Sequence, residues 1–224
     1  MLTASAVDRA AYEAQGFLRV PGVLSQGDLD RLRVESDRML AERADTRTWD
    51  GLWRQSFPNT TPQEPYNLLT VPDLHRHSNV WHDAAHASPL LAVIEGLIGP
   101  CQLVAAMLIV KPPAIGQPFP LHQDSAYYGS KETSYCIVVV HLDATTHENG
   151  ALRFLPGRHR DGVLPHLQGG KAHLDPAVYR LDETVEVPAD AGDLVCFSLH
   201  TPHASYPNRS KLPRTVVRLG YVPA

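Results

Sequence analysis

Ser134-Tyr135-Cys136-Ile137-Val138-Val139-Val140-His141-Leu142 decides how the rest of the chain is read. Ile137 to Val140 are all β-branched, a run that suits a pleated surface and disfavours a helix. Polar residues do not alternate with apolar ones, so the stretch is expected to be a strand buried on both faces. On either side the same character recurs. Leu103–Lys111 is a second apolar run rich in β-formers, and shorter strands are expected at 150–155, 184–187, 193–198 and 215–222, separated by Gly, Pro and Asp turns. The first hundred residues read differently. A short helix over 8–15 and a strand over 16–20 precede Ser25, an N-cap with Asp28 three residues on, close to a capping box. Leu29, Leu32, Met39 and Leu40 then mark an amphipathic helix to about Ala44. A second helical zone covers 73–98, with Ser88-Pro89 as N-cap and N1 proline and Gly99-Pro100 as its stop. Helices first and strands after predict an α+β fold, mainly β, built on an antiparallel double-sheet jelly roll with flanking N-terminal helices. A single domain over 1–224 is expected, helical over 1–100 and jelly roll over 101–224.

The totals narrow the function classes. The chain has 224 residues, 43% hydrophobic and 20% charged, ordinary for a globular domain. Its 20 basic against 24 acidic residues argue against nucleic acid as a partner. No run approaches the ~18 apolar residues that span a bilayer, and Asp8, Arg9 and Glu13 interrupt any signal-peptide core. Cys101, Cys136 and Cys196 are odd in number and far apart, which fits a reducing compartment, and Cys136 and Cys196, in apolar strand-like runs, read as small buried hydrophobes. A cytoplasmic protein is expected.

Chemistry enters at Pro120-Leu121-His122-Gln123-Asp124, where an imidazole and a carboxylate stand two residues apart. In a strand, i and i+2 share a face, so His122 and Asp124 can reach one ion together. Among other histidines, His82 and His86 share the i, i+4 spacing of zinc proteases, but Asp83 replaces the required Glu and the pair reads as a polar helix face. His75, His77, His147, His159, His166 and His173 lie in polar or loop-like sequence. A buried strand after Gly192-Asp193 ends in His200 and His203, with Ser205, Asn208, Ser210, Arg214 and Arg218 beyond. Two histidines and one carboxylate leave coordination positions open, which suits non-haem Fe(II) and oxygen activation. A nearby arginine fits a carboxylate-bearing cosubstrate.

In order and near-constant spacing, Met107-Leu108-Ile109-Val110-Lys111-Pro112-Pro113, Pro120 to Asp124, Glu148-Asn149-Gly150-Ala151-Leu152, Leu155-Pro156-Gly157-Arg158-His159 and Gly192-Asp193 to Arg214 resemble the phytanoyl-CoA dioxygenase family of Fe(II)/2-oxoglutarate oxygenases. The resemblance covers roughly half the chain. It implies a cupin-like double-stranded β-helix with Fe(II) on His122, Asp124 and His203, and 2-oxoglutarate on Arg214 with Ser205, Met107 and Lys111 beside it. The family spacing to Asn208 and Arg214 favours His203 over His200 as ligand, and Arg214 over Arg218 for the cosubstrate. Many relatives have Trp eleven residues before the glycine of Glu-Asn-Gly, where this chain has Val139.

The resemblance also implies the reaction: O2-dependent decarboxylation of 2-oxoglutarate to succinate and CO2, coupled to hydroxylation of a C–H bond. Halogenating relatives lack the ligand carboxylate, so Asp124 makes hydroxylation the first choice. Candidate substrate contacts are Trp49, Trp53 and Tyr66 in the irregular 46–66 segment, and Tyr127 and Tyr128 after the metal pair. No basic cluster for a CoA phosphate is evident, which favours a smaller substrate. Two rivals are a jelly-roll protein that binds 2-oxoglutarate without turnover and a metal hydrolase or isomerase that does not need it.

Overall fold

The computed structural model describes residues 6–47, 66–128, 135–167 and 171–224. Among them, two antiparallel sheets pack face to face. The larger has seven strands in the order β1 (Phe17–Val20), β9 (Leu194–Ser198), β6 (Cys136–His141), β11 (Arg214–Pro223), β4 (Cys101–Lys111), β3 (Leu68–Pro72) and β2 (Asp45–Arg47). The smaller has four, in the order β5 (Phe119–His122), β10 (His203–Ser205), β7 (Leu152–Phe154) and β8 (Val185–Val187).

The unbroken apolar run of β6 is explained by cores on both its faces. Cys136, Val138 and Val140 pack outward into a cluster with Leu29, Leu32 and Met39 of α2 (Gln26–Arg43), Trp81 of α4 (Asn79–Ala85) and Ile94 of α5 (Ser88–Ile98). Ile137 and Val139 point the other way, into a second core shared with Phe154, Val187, Val195 and Phe197 between the sheets. Each such side chain, fully buried, contributes roughly 1.5–3 kcal/mol, so both faces had to be apolar. Cys136 and Cys196 are free thiols within this packing.

The helical half follows its capping chemistry. Ser25 Oγ accepts from Asp28 N at 3.2 Å while Asp28 accepts from Ser25 N at 3.3 Å, a complete capping box. The 73–98 zone divides into α3 (Leu74–His77), α4 and α5, because Ser78 is extended and its Oγ accepts from Trp81 N, restarting the helix. One cap is corrected: α5 begins at Ser88 itself, and the N-cap is Ala87 with no side-chain bond. Strands β2, β3, β5 and β10 were not expected from the sequence. They are three to five residues long, and β5 contains Pro120. No described helix is long and apolar enough to cross a membrane.

Candidate metal centre

The two histidines meet through strand pairing. β5 and β10 are neighbours, with His203 opposite His122 in register and their ring centroids 4.3 Å apart. Each Nδ1 faces a main-chain carbonyl, His122 that of Pro120 at 2.7 Å and His203 that of Thr201 at 3.0 Å. A carbonyl only accepts, so Nδ1 carries the proton and Nε2 keeps its lone pair. Burial lowers the affinity of both rings for a second proton, and the His203 pKa is pushed down to about 3. Both imidazoles are therefore neutral, as a metal ligand must be.

Asp124 completes the group by a route other than the shared face that a His-x-Asp pair lying wholly in a strand would use. β5 ends at His122, and Asp124 sits in the turn that opens α6 (Ser125–Tyr128). Gln123 makes the turn rigid: its Nε2 donates to the carbonyls of Gly162 and His200 and its Oε1 accepts from Leu164 N at 2.8 Å. Its main-chain N–H donates to His166 Nε2 at 3.0 Å. Asp124 Oδ1 then lies 3.5 Å from His122 Nε2 and 3.9 Å from His203 Nε2. The three residues are buried, with ligand atoms all within 4.8 Å of one another. Two neutral imidazole nitrogens and one carboxylate oxygen facing one point fit a divalent transition metal.

Arg218 supplies what the sequence reading gave to neither arginine. Its Nε and Nη2 donate to Asp124 Oδ2 at 3.1 and 2.8 Å, leaving Oδ1 for the metal. Burial would raise the Asp124 carboxyl, but the Arg218 guanidinium outweighs it and holds it well below the usual carboxylate range. Arg218→Met strands that carboxylate, so the metal-free protein is expected to lose about 3 kcal/mol of stability. A bound divalent ion restores part of the missing charge. The check is the rise in melting temperature on adding Co(II), which should be larger in the variant than in the wild type; equal rises would count against the pairing role.

Arg214 lies on the same face of β11, in register with Lys111 of β4, while Arg218 is in register with Met107 and Val139. Arg214 is buried, donates from Nη1 to Gly150 O at 2.9 Å, and has a buried Nε with no partner among the described residues. Gly150 has φ +85°, and a Cβ there would come within 2.3 Å of Tyr206 O, so only glycine lets this carbonyl approach. Lys111 Nζ donates to Ser205 Oγ at 2.7 Å and to Tyr206 O at 2.5 Å. Burial and the neighbouring Arg214 depress its pKa well below the usual lysine value. A cavity of about 420 Å³ joins these parts, lined by His122, Asp124, His203, Ser205, Arg214 and Arg218 together with Met107, Val139 and Tyr127. Val139 is thus part of its wall.

Other candidates fall elsewhere. Tyr66 is buried, is not among the residues that line the cavity, and its hydroxyl accepts from Arg209 Nη2 at 2.5 Å. Trp49, Trp53 and the Tyr128 side chain lie outside the described residues. His200 is buried and contributes its carbonyl to Gln123 rather than a ring nitrogen to the metal group. His82 and His86 lie on an exposed face with their ring centroids 4.5 Å apart and the rings tilted by 31°. Asn208 braces the approach to β11, donating to Lys111 O and Leu212 O at 3.0 and 2.8 Å. Gln123 and Arg218 are the positioning residues that sequence reasoning missed. Arg218 shared strand parity with Arg214, but nothing in the pattern pointed to Asp124.

Comparison with known proteins agrees with this geometry. The family model described as "Phytanoyl-CoA dioxygenase (PhyH)" matches residues 12–216. The methylphosphonate hydroxylase of Gimesia maris is 28% identical over 98% of this chain and 80% of its own length. A probable alpha-ketoglutarate-dependent hypophosphite dioxygenase of Stutzerimonas stutzeri is 30% identical over 51% of this chain and 42% of its own. Among solved structures, EvdO2 of Micromonospora carbonacea var. aurantiaca, complexed with 2-oxoglutarate, superposes with a TM-score of 0.74 at 24% identity, covering 98% of this chain and 91% of that one, and shares the fold. The match over 12–216 spans nearly the whole described molecule, and the chain belongs to the phytanoyl-CoA dioxygenase family of Fe(II)- and 2-oxoglutarate-dependent oxygenases.

Proposed function

We propose that His122, Asp124 and His203 hold the iron of this oxygenase, that Arg214, Ser205, Met107 and Lys111 receive 2-oxoglutarate, and that the reaction hydroxylates a C–H bond of a small molecule. The observation that carries this reading is the pairing of two features in one cavity. At one end three metal donors converge, and Arg214, whose buried Nε has no partner among the described residues, lines the same space. A buried guanidinium N–H without a partner is costly, and a carboxylate is the group that satisfies it best.

When bound, the iron supplies the redox chemistry by which O2 converts 2-oxoglutarate to succinate and CO2, one oxygen atom entering succinate and the other the C–H bond. The chain's own residues hold the parts in place. Pro120 O and Thr201 O fix the imidazole tautomers, and Arg218 keeps Asp124 ionised with Oδ1 outward. Met107, Ile109, Leu152 and Val216 give the cavity an apolar wall that limits water around the reacting centre. Two relatives are named for methylphosphonate and hypophosphite, which supports a compact substrate here. We treat the chain as one domain, since α2, α4 and α5 are buried on the back of the sheet whose inner face carries both arginines. Three free cysteines support a cytoplasmic setting.

Anaerobic titration with Fe(II) and 2-oxoglutarate is expected to produce a weak visible charge-transfer band, and admission of O2 to yield succinate. Iron loading without band or succinate would sink the oxygenase reading of these residues. Turnover without 2-oxoglutarate would favour a hydrolase or isomerase.

A further inference from the structure

Away from the cavity, a second pair of histidines repeats the geometry of the first. His82 lies in α4 and His86 is its C-cap, four residues on, so both side chains leave one face of the last turn. Their ring centroids are 4.5 Å apart and the rings are tilted by 31°, against 4.3 Å and 45° for His122 and His203. The tautomers agree as well. His82 Nδ1 faces Asp83 Oδ1 at 3.3 Å, and His86 Nδ1 faces His82 O at 2.7 Å. A carboxylate and a carbonyl only accept, so each Nδ1 carries the proton and each Nε2 keeps its lone pair.

The sequence spacing alone reads as a polar helix face, because Asp83 stands where zinc proteases carry Glu. In that pattern the Glu is the general base and the histidines are the metal donors. Asp83 therefore removes the catalytic part of the pattern and leaves the metal-binding part. His82, Asp83 and His86 are exposed, while Trp81, Ala84 and Ala85 on the other side of α4 are buried in the outer core. That side is pinned: Trp81 Nε1 donates to Ser36 Oγ at 3.1 Å, and Ala85 O accepts from Tyr221 Oη at 2.7 Å. A fixed backbone holds the two nitrogens near each other before any ion arrives, which lowers the cost of binding one. The outer core lies on the face of the seven-stranded sheet opposite the cavity, so the two histidine pairs are separated by the sheet.

We propose that His82 and His86 form a second metal site, which takes one late divalent transition ion through both Nε2 atoms and completes its coordination with water. Imidazole suits Zn(II), Cu(II) and Ni(II), and a pair of neutral imidazoles without a thiolate selects this class of ion. By bridging residues 82 and 86, the ion clamps the last turn of α4 and stabilises the folded chain. The site is independent of the oxygenase reading above.

The test is calorimetric titration of Zn(II) into the full chain and into the double variant His82→Gln, His86→Gln. The variant is expected to bind one equivalent fewer than the wild type and to keep the wild-type affinity for Fe(II). Because the comparison is a difference, it holds whether or not the buried triad also takes zinc. Each single substitution is expected to weaken the site by roughly tenfold or more, since losing a group that merely orients a ligand already costs about 10–100-fold. A second measurement needs no variant. Diethylpyrocarbonate modifies accessible imidazoles, and near-stoichiometric Zn(II) is expected to protect His82 and His86 together, as located by mass spectrometry, while the exposed His77 and His147 react as before. Equal zinc stoichiometry in wild type and double variant overturns the proposal, and so does modification of His82 and His86 that Zn(II) leaves unchanged.

Discussion

His203→Ala is expected to bind Fe(II) more than about a hundredfold more weakly than the wild type and to form no succinate above background. Removing a partner that merely orients a metal ligand already costs ~10–100-fold, and here a donor itself is lost. The residue is buried, with its ring centroid 4.6 Å from that of Phe197 and 4.3 Å from that of His122, so the variant also loses packing. Its melting temperature therefore has to be followed beside its metal affinity, measured by calorimetry with Fe(II) under nitrogen. A folded variant that still binds iron with wild-type affinity would remove His203 from the ligand set. His200, whose buried Nδ1 has no partner among the described residues, would then be the next candidate.

The second large effect is expected at Arg214. Arg214→Ala should weaken 2-oxoglutarate binding by roughly a hundredfold or more, corresponding to about 3 kcal/mol for a carboxylate left without its buried counter-charge. Iron affinity in the absence of cosubstrate should change far less, because Arg218, and not Arg214, pairs with Asp124. That split makes the prediction specific. Titration of 2-oxoglutarate into the iron-loaded variant, read at the charge-transfer band, gives the constant directly. An unchanged value would show that the far carboxylate is held elsewhere. A parallel loss of iron binding would point to a general collapse of β11.

Much of this was legible before any coordinates. The strand at 136–141 with its β-branched run, the Ser25 capping box and the short strands at 152–154, 185–187 and 194–198 follow from local rules of composition, capping and turns. Those rules act over a few residues, so a single sequence is enough to apply them. Four strands escaped because their identity as strands lies in their partners. His203–Ser205 is three residues long and exists as a strand between β5 and β7. Pro120 likewise hides the strand that carries His122.

The division is the same at the site. From the sequence alone came the donor types, their order along the chain, and the family pattern that singled out His122, Asp124, His203 and Arg214. The tertiary structure decided which arginine pairs with Asp124, because Arg214 and Arg218 have the same strand parity and differ only in what packs opposite them: Lys111 and Gly150 for one, Asp124 for the other. It also decided how a His-x-Asp pair converges at the end of a strand, through a Gln123 held by four hydrogen bonds to residues 39 to 77 positions away. Residue chemistry is a local property written in the sequence. Which charge meets which across a cavity depends on contacts between distant parts of the chain, and those exist only in the fold.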